Sequence, residues 1–155
     1  VAADLRHPVM LLALGFGSGL APRAPGTAGS AVGVVLAMAL AHMPATLAVP
    51  AILVAVIAGI PVCRRAALRL GQHDHPGIVW DEIAGMLVAL AAVPLAAEWV
   101  AAGFVLFRLL DIAKPWPIGW LDRRVGGGLG IMLDDVLAGA ATLALLQGAA
   151  VLLAA

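Results

Sequence analysis

"GGLGIMLDDVLAGAATLALL", residues 127–146, carries two adjacent aspartates, Asp134 and Asp135, in a run with no other charge. Alanine and leucine dominate it and no period-two alternation appears, so it reads as helix rather than strand. With the apolar segment taken as residues 135–155, the pair stands at its head, where the partial positive charge of a helix N-terminus favours one carboxylate. Two together repel unless something positive lies beside them. The nature of that positive partner decides what the chain does.

The rest of the chain repeats the same theme of apolar runs ending in acids. Its 155 residues are 63% hydrophobic and 12% charged, with mean hydropathy +1.07, whereas a soluble domain carries roughly 25% charged residues. Half the usual solvating surface is missing, which marks a membrane protein. One domain over residues 1–155 is expected from the length. The formal net charge is zero, so nothing points to nucleic acid or another polyanion as a partner. The single cysteine, Cys63, excludes an internal disulfide framework and any multi-cysteine metal site. The apolar start "HPVMLLALGFGSGL" (7–20) is too short to span a bilayer, and Gly/Pro-rich sequence follows it, which argues against a removable signal peptide.

Five apolar segments are expected at about 28–43, 47–63, 82–97, 98–110 and 135–155, as helices because lipid leaves an open sheet's backbone unsatisfied. Several fall short of the roughly 20 residues that cross a bilayer, so some tilt, borrow flanking residues or cross in part. "HMPAT" (42–46) and "VPLAAE" (93–98) are short turns. All nine basic residues (Arg6, Arg23, Arg64, Arg65, Arg69, Arg108, Lys114, Arg123, Arg124) avoid these turns. Alternating the segments puts every one of them on a single side, the cytoplasmic one by the positive-inside rule. Gly29 and Gly33 form a GxxxG pair suited to close helix contact.

Three polar stretches lie on that side. In "GFGSGLAPRAPGTAGS" (15–30), Gly26, Thr27, Gly29 and Ser30 surround the start of a helix, where free amides and hydroxyls make an anion site; a plain N-cap and tight loop is the alternative. In "HDHPGIVWDEIAG" (73–85), His73, Asp74 and His75 precede Asp81 and Glu82, which open the third segment. These are candidate acid–base and metal-binding groups, or a solvated helix cap. In "RLLDIAKPWPIGWLDRRVGGGLGIMLDD" (108–135), Arg108, Asp111 and Lys114 share a helix face if the helix persists to Pro115; the alternative is an interfacial ion-pair ladder with Trp116 and Trp120 as a belt.

Taken together, the acids gather at one membrane-facing end of three helices. Acids at that depth are costly and mark function. A hard divalent cation relieves their repulsion, and Mg²⁺ typically takes carboxylates, waters and substrate phosphate. Arg108 and Lys114 are the groups to hold that phosphate. The pattern is metal-assisted phosphoryl chemistry at a membrane surface. "CRRAALR" (63–69) has the Cys-x5-Arg spacing of cysteine-dependent phosphatases, but Cys63 ends a long apolar segment, where the helix dipole has the wrong sign to activate a thiol.

The three stretches, in this order and over nearly the whole chain, closely resemble the bacterial phosphatidylglycerophosphatase A family. The resemblance implies a Mg²⁺-dependent enzyme of the bacterial inner membrane that converts phosphatidylglycerophosphate to phosphatidylglycerol and phosphate, within phosphatidylglycerol and cardiolipin synthesis. The family's acids fall on Asp81, Glu82, Asp111, Asp134 and Asp135 as metal ligands. Members often carry histidine where this chain has Gly126, which shifts an acid–base role toward His73 or His75.

The expected fold is therefore all-α: a compact integral membrane bundle of about four to five apolar helices with a polar site at the cytoplasmic interface. Asp74, His75, Asp81, Asp111 and Asp134 are the expected catalytic groups. The alternative is a small membrane cation transporter using the same acids; it requires acids near the middle of segments, and the five segments have none there. The sequence also contains no Asp-x-Asp pair of the haloacid-dehalogenase kind, which favours direct attack by water. A phospholipid-forming transferase is disfavoured by the lack of an Asp-Gly-x2-Ala-Arg run.

Overall fold

The computed structural model describes residues 5–154; residues 1–4 and 155, with the end of the fifth expected segment, lie outside the described residues. The fold is all-α, as expected, with no strand among the described residues. Its helices are α1 (Pro8–Ala13), α2 (Pro25–Ala41), α3 (Ala45–Leu70), α4 (Trp80–Ala89), α5 (Ala97–Ala113), α6 (Ile118–Asp122) and α7 (Gly127–Ala154). A 3₁₀ segment, Gly15–Leu20, joins α1 to the loop before α2.

Two helices are long and apolar enough to cross a membrane: α3 with mean hydropathy 2.4 and α7 with 2.1. At 1.5 Å per residue their lengths are about 40 Å, against a hydrocarbon core of about 30 Å. The third expected segment is different. It runs as helix only from Trp80 to Ala89, about 15 Å and too short to cross. The helix ends at Ala89, where the Leu90 N–H closes the last turn on the Met86 carbonyl, and Pro94 four residues on prevents it from resuming. This short helix is also the most enclosed one: Ile83, Ala84, Met86 and Ala89 have no exposed surface. It packs chiefly on α7 and α2, with α3 and α5 completing the ring.

Glycine makes these approaches possible. A side chain at Gly29 would meet Val79 Cβ at 2.6 Å, and one at Gly33 would meet Met86 Cβ at 2.7 Å. The GxxxG pair is thus the contact of α2 with α4. On the other side, Gly139 of α7 lies against the Gly85 carbonyl of α4, so the acids carried on these two helices come close.

The ends of the bundle are distinct. Gln147 donates to the Ala92 carbonyl, and Ala37, Leu40, Ala48, Ile52, Leu87 and Leu90 line one shared crevice. These place both expected turns at the end opposite the acidic stretches. Outward faces remain apolar along their length, with Val35, Val54, Ile57, Val105, Leu109 and Leu152 each more than half exposed. A contiguous apolar exterior of this kind marks association with a membrane.

Two helix boundaries matter to the site. Beyond the apolar run that ends at Cys63, Arg64–Arg69 continue the helix, as expected, to Leu70, where Gly71 adopts φ 71° and its N–H donates to the Ala67 carbonyl. This is a left-handed cap, which glycine adopts without a Cβ clash. The fifth segment begins at Gly127 rather than residue 135. Asp134 and Asp135 are therefore about two turns inside α7, beyond the reach of its N-terminal dipole. They do not cap the helix.

Candidate active site

Three helices bring the acids together. The first turn of α4 presents Asp81 and Glu82, the last turn of α5 presents Asp111, and the inner face of α7 presents Asp134 and Asp135. Carboxylate oxygens of Asp81, Glu82 and Asp135 all lie within 4.8 Å of one another, and so do those of Asp111, Asp134 and Asp135. Asp135 belongs to both trios. It is 3% exposed, beside Asp134 at 7% and Asp81 at 8%. One buried oxygen on each of Asp81, Glu82, Asp134 and Asp135 has no hydrogen-bond partner. Unpartnered buried polar atoms are rare because each forfeits its hydration. Here four converge.

Two cations stand against these acids. Arg108 pairs with Asp111 one helical turn on, and its guanidinium lies 4.0 Å from Glu82 Oε1. Arg108 and Asp111 share a face of α5 as expected. Lys114 lies one residue past the helix, at φ 43°. This left-handed backbone, costly for a residue with a Cβ, turns its side chain back, with Nζ 2.6 Å from Asp134 Oδ2 and 3.1 Å from Asp122 Oδ1. Burial works against the Lys114 charge, but the pairing with Asp134 and then Asp122 outweighs it and holds the ammonium above its ordinary pKa. Lys114 is a permanent cation. Even so, five clustered carboxylates exceed two cations, and oxygen-only donors suit a hard divalent ion.

The acids open into a cavity of about 190 Å³ lined also by Lys114, Asp122, Asp74 and His73. Asp122 escaped the sequence reading although it lies inside the longest motif; Lys114 reaches it only because the chain reverses between α5 and α6. His73 accepts a hydrogen bond at Nε2 from the Gly127 N–H, 2.8 Å away. The imidazole thus stands beside the Gly126–Gly127 turn, and position 126 itself has open space around it. In the neutral ring this leaves the proton on Nδ1.

Other expected residues go elsewhere. His75 does not line the cavity; its Nδ1 accepts from the Gly77 N–H at 3.0 Å and closes a local turn. At the start of α2, most of the amides expected to form an anion site are engaged or missing. Pro25 has no N–H, and the Thr27 and Ala28 amides already donate to the Ala24 carbonyl. Ser30 is buried and its hydroxyl donates to the Gly26 carbonyl at 2.9 Å, while Gly29 is a packing contact. Gly26 approaches the acids, packed so closely against Glu82 and Arg108 that a side chain there would lie 3.3 Å from the Arg108 guanidinium.

Cys63 is fully buried, with its sulfur 3.7 Å from that of Met132, and it does not line the cavity. Cys63→Ser should therefore leave phosphate release within a few-fold of the parent, measured at saturating substrate. A loss of several orders of magnitude in a folded variant would instead require a thiol mechanism.

The phosphatidylglycerophosphatase A family profile matches residues 11–150. The chain is similar to the Escherichia coli (strain K12) phosphatidylglycerophosphatase A, 47% identical over 136 residues, covering 87% of this chain and 79% of that protein. It is 45% identical over 140 residues to the Haemophilus influenzae protein of the same name, covering 87% of this chain and 84% of that one. A Bacteroides thetaiotaomicron relative, 39% identical over 138 residues with 84% and 86% covered, is provisionally named a phosphatidylinositol-3-phosphatase. No solved structure matches significantly. Matched over nearly its whole length by relatives and profile alike, the chain belongs to the phosphatidylglycerophosphatase A family, a family of phosphatases.

Proposed function

We propose that this chain is a Mg²⁺-dependent lipid phosphatase that hydrolyses the phosphomonoester of phosphatidylglycerophosphate, leaving phosphatidylglycerol for the synthesis of that lipid and cardiolipin. The observation that carries this reading is the pair of carboxylate trios sharing Asp135, with four buried oxygens unpartnered, next to a permanent lysine cation. Asp81, Glu82, Asp111, Asp134 and Asp135 would hold the cation. When bound, it offsets the repulsion among these acids and supplies Lewis-acid stabilisation of charge on the phosphoryl oxygens.

The chain's own residues do the rest. Lys114, at the cavity wall, holds a phosphoryl oxygen as negative charge builds in the transition state. Arg108 keeps Asp111 and Glu82 in place. Asp74 lines the cavity outside both trios and would take the proton from the attacking water. The neutral His73 would carry its proton on Nδ1 and give a hydrogen bond from it to the departing glycerol oxygen. Water attacks phosphorus as one of its protons passes to Asp74, the P–O bond to glycerol breaks, and the proton held on Asp74 passes to the released glycerol oxygen, which restores the carboxylate. The one-sided basic residues support multi-pass insertion with this site facing the cytoplasm. In the transporter reading acids would line a path, yet among the described residues only Glu98 lies toward the far end.

The test is phosphate release by the purified protein from phosphatidylglycerophosphate, phosphatidic acid and phosphatidylinositol 3-phosphate, each with Mg²⁺ and with excess chelator. Release should be fastest from phosphatidylglycerophosphate and should need Mg²⁺. Equal turnover in chelator would remove the metal role, and preference for the inositol lipid would reassign the substrate.

A further inference from the structure

A second space adjoins the acidic cavity, between the last turns of α3 and the first turn of α7. It is a groove of about 360 Å³ whose walls include Ala67, Leu68, Gly127 and Ile131. His73 and Ile131 line both spaces. Apart from His73, its only ionisable lining residue is Arg64. The base of Arg64 is fixed, since Gly128 of α7 sits so close that a side chain there would meet Arg64 Cβ at 2.8 Å. Its guanidinium has no carboxylate partner among the described residues, whereas Arg108 and Lys114 are both engaged by acids.

The proposed substrate has two phosphates at the two ends of one glycerol. The monoester is cleaved, and the diester leads to the acyl chains. A lipid whose monoester enters the acidic cavity must direct its diester and tails through a wall that is apolar yet carries a positive charge. The Arg64 groove is such a wall. It meets the cavity at His73, where the glycerol oxygen between the two phosphates would lie.

We propose that this groove receives the lipid side of the substrate, with Arg64 holding the phosphodiester and Leu68 and Ile131 flanking the first carbons of the tails; this rests on the reading of the acidic site as a phosphatidylglycerophosphate phosphatase. Guanidinium matches the anionic phosphate oxygens in charge and in planar, two-pronged geometry. Arg64 is thereby a specificity residue for lipids that carry a diester beyond the scissile monoester. Arg65 and Arg69, exposed like Arg64 on the same helix end, do not line this groove; a basic side chain there reaches for the membrane surface.

The experiment compares Arg64→Gln with Arg69→Gln in the intact protein. Binding of short-chain phosphatidylglycerol, which has the diester and no monoester, is measured by titration calorimetry in detergent, alongside inorganic phosphate with Mg²⁺ and the KM and kcat for phosphatidylglycerophosphate. Arg64→Gln should weaken phosphatidylglycerol binding and raise KM roughly tenfold each, the worth of one charged hydrogen-bonded pair. Phosphate binding should not change, kcat should stay within a few-fold, and Arg69→Gln should match the parent throughout. Equal effects of the two variants, an unchanged phosphatidylglycerol affinity, or a parallel loss of phosphate binding would overturn the proposal. A parent protein that turns over no phosphatidylglycerophosphate yet binds phosphatidylglycerol through Arg64 would sink the activity and leave the groove standing.

Discussion

Asp135→Asn should remove most phosphate release and, in the absence of metal, make the protein more stable to heat. Asp135 supplies an oxygen to both carboxylate trios, and its Oδ1 is buried without a partner. Asparagine keeps the shape and removes the charge. If the trios hold Mg²⁺, a ligand common to both is lost, and activity should fall on the order of 100-fold or more. The stability effect has the opposite sign. Without a cation, Asp135 is a buried charge among like charges from Asp81, Glu82, Asp111 and Asp134, and burying uncompensated charge is destabilising. Thermal unfolding in detergent with chelator should show Tm raised by about 2–4 °C per kcal/mol of repulsion relieved. Added Mg²⁺ should raise the parent's Tm, as any ligand of the folded state does, and raise the variant's much less. The idea is falsified if both Asp134→Asn and Asp135→Asn keep near-normal activity and an unchanged Mg²⁺ requirement. A helix-cap role predicts that outcome, since asparagine caps as well as aspartate, but neither residue lies at a cap.

The two aspartates should not respond alike. Neighbouring helical positions diverge by about 100°, and the structure sends them to different partners. Asp134 gives one oxygen to Lys114, while Asp135 faces α4 and Asp111. Asp134→Asn therefore disturbs a ligand already shared with lysine, and its loss of activity should be the smaller of the two.

Lys114→Met should lower kcat by about two orders of magnitude, the usual effect of removing one preorganised group that stabilises transition-state charge. Methionine keeps the aliphatic stem but deletes the ammonium that bridges Asp134 and Asp122. Two carboxylates would then lose their partner, adding to the excess of negative charge in the cavity. Lys114→Arg keeps the charge and should recover part of the activity, though the planar guanidinium cannot reproduce a point charge at both oxygens. Because the ion pairs raise the Lys114 pKa, the cation persists across neutral and mildly alkaline pH, and no loss of activity in that range should trace to its deprotonation. Steady-state phosphate release by the three proteins checks this. A Lys114→Met variant within a few-fold of the parent would leave the lysine as a structural tie only.

Composition and local order were enough to establish several things about this protein. Alanine- and leucine-rich runs without a period of two dictated helix, and the shortage of charge dictated a membrane setting. The grouping of "DE", "D" and "DD" at the same ends, with three long motifs, led to the acidic site and the family. These features are legible because hydrophobic patterning and charge placement are properties of the chain itself.

Tertiary structure decided the rest. It shortened the third segment to a buried ten-residue helix and began α7 early enough to carry Asp134 and Asp135 inward. It set Gly29 and Ser30 to packing, chose His73 over His75 for the cavity wall, and brought in Asp122. Each outcome depends on which helix faces which at a given height, and that is fixed by contacts distant in sequence, such as Gly29 on Val79 and Gly139 on Gly85. A shift of one residue turns a helical side chain by about 100°, so membership of the site was settled only when those close contacts locked the rotation of α4 against α2 and α7.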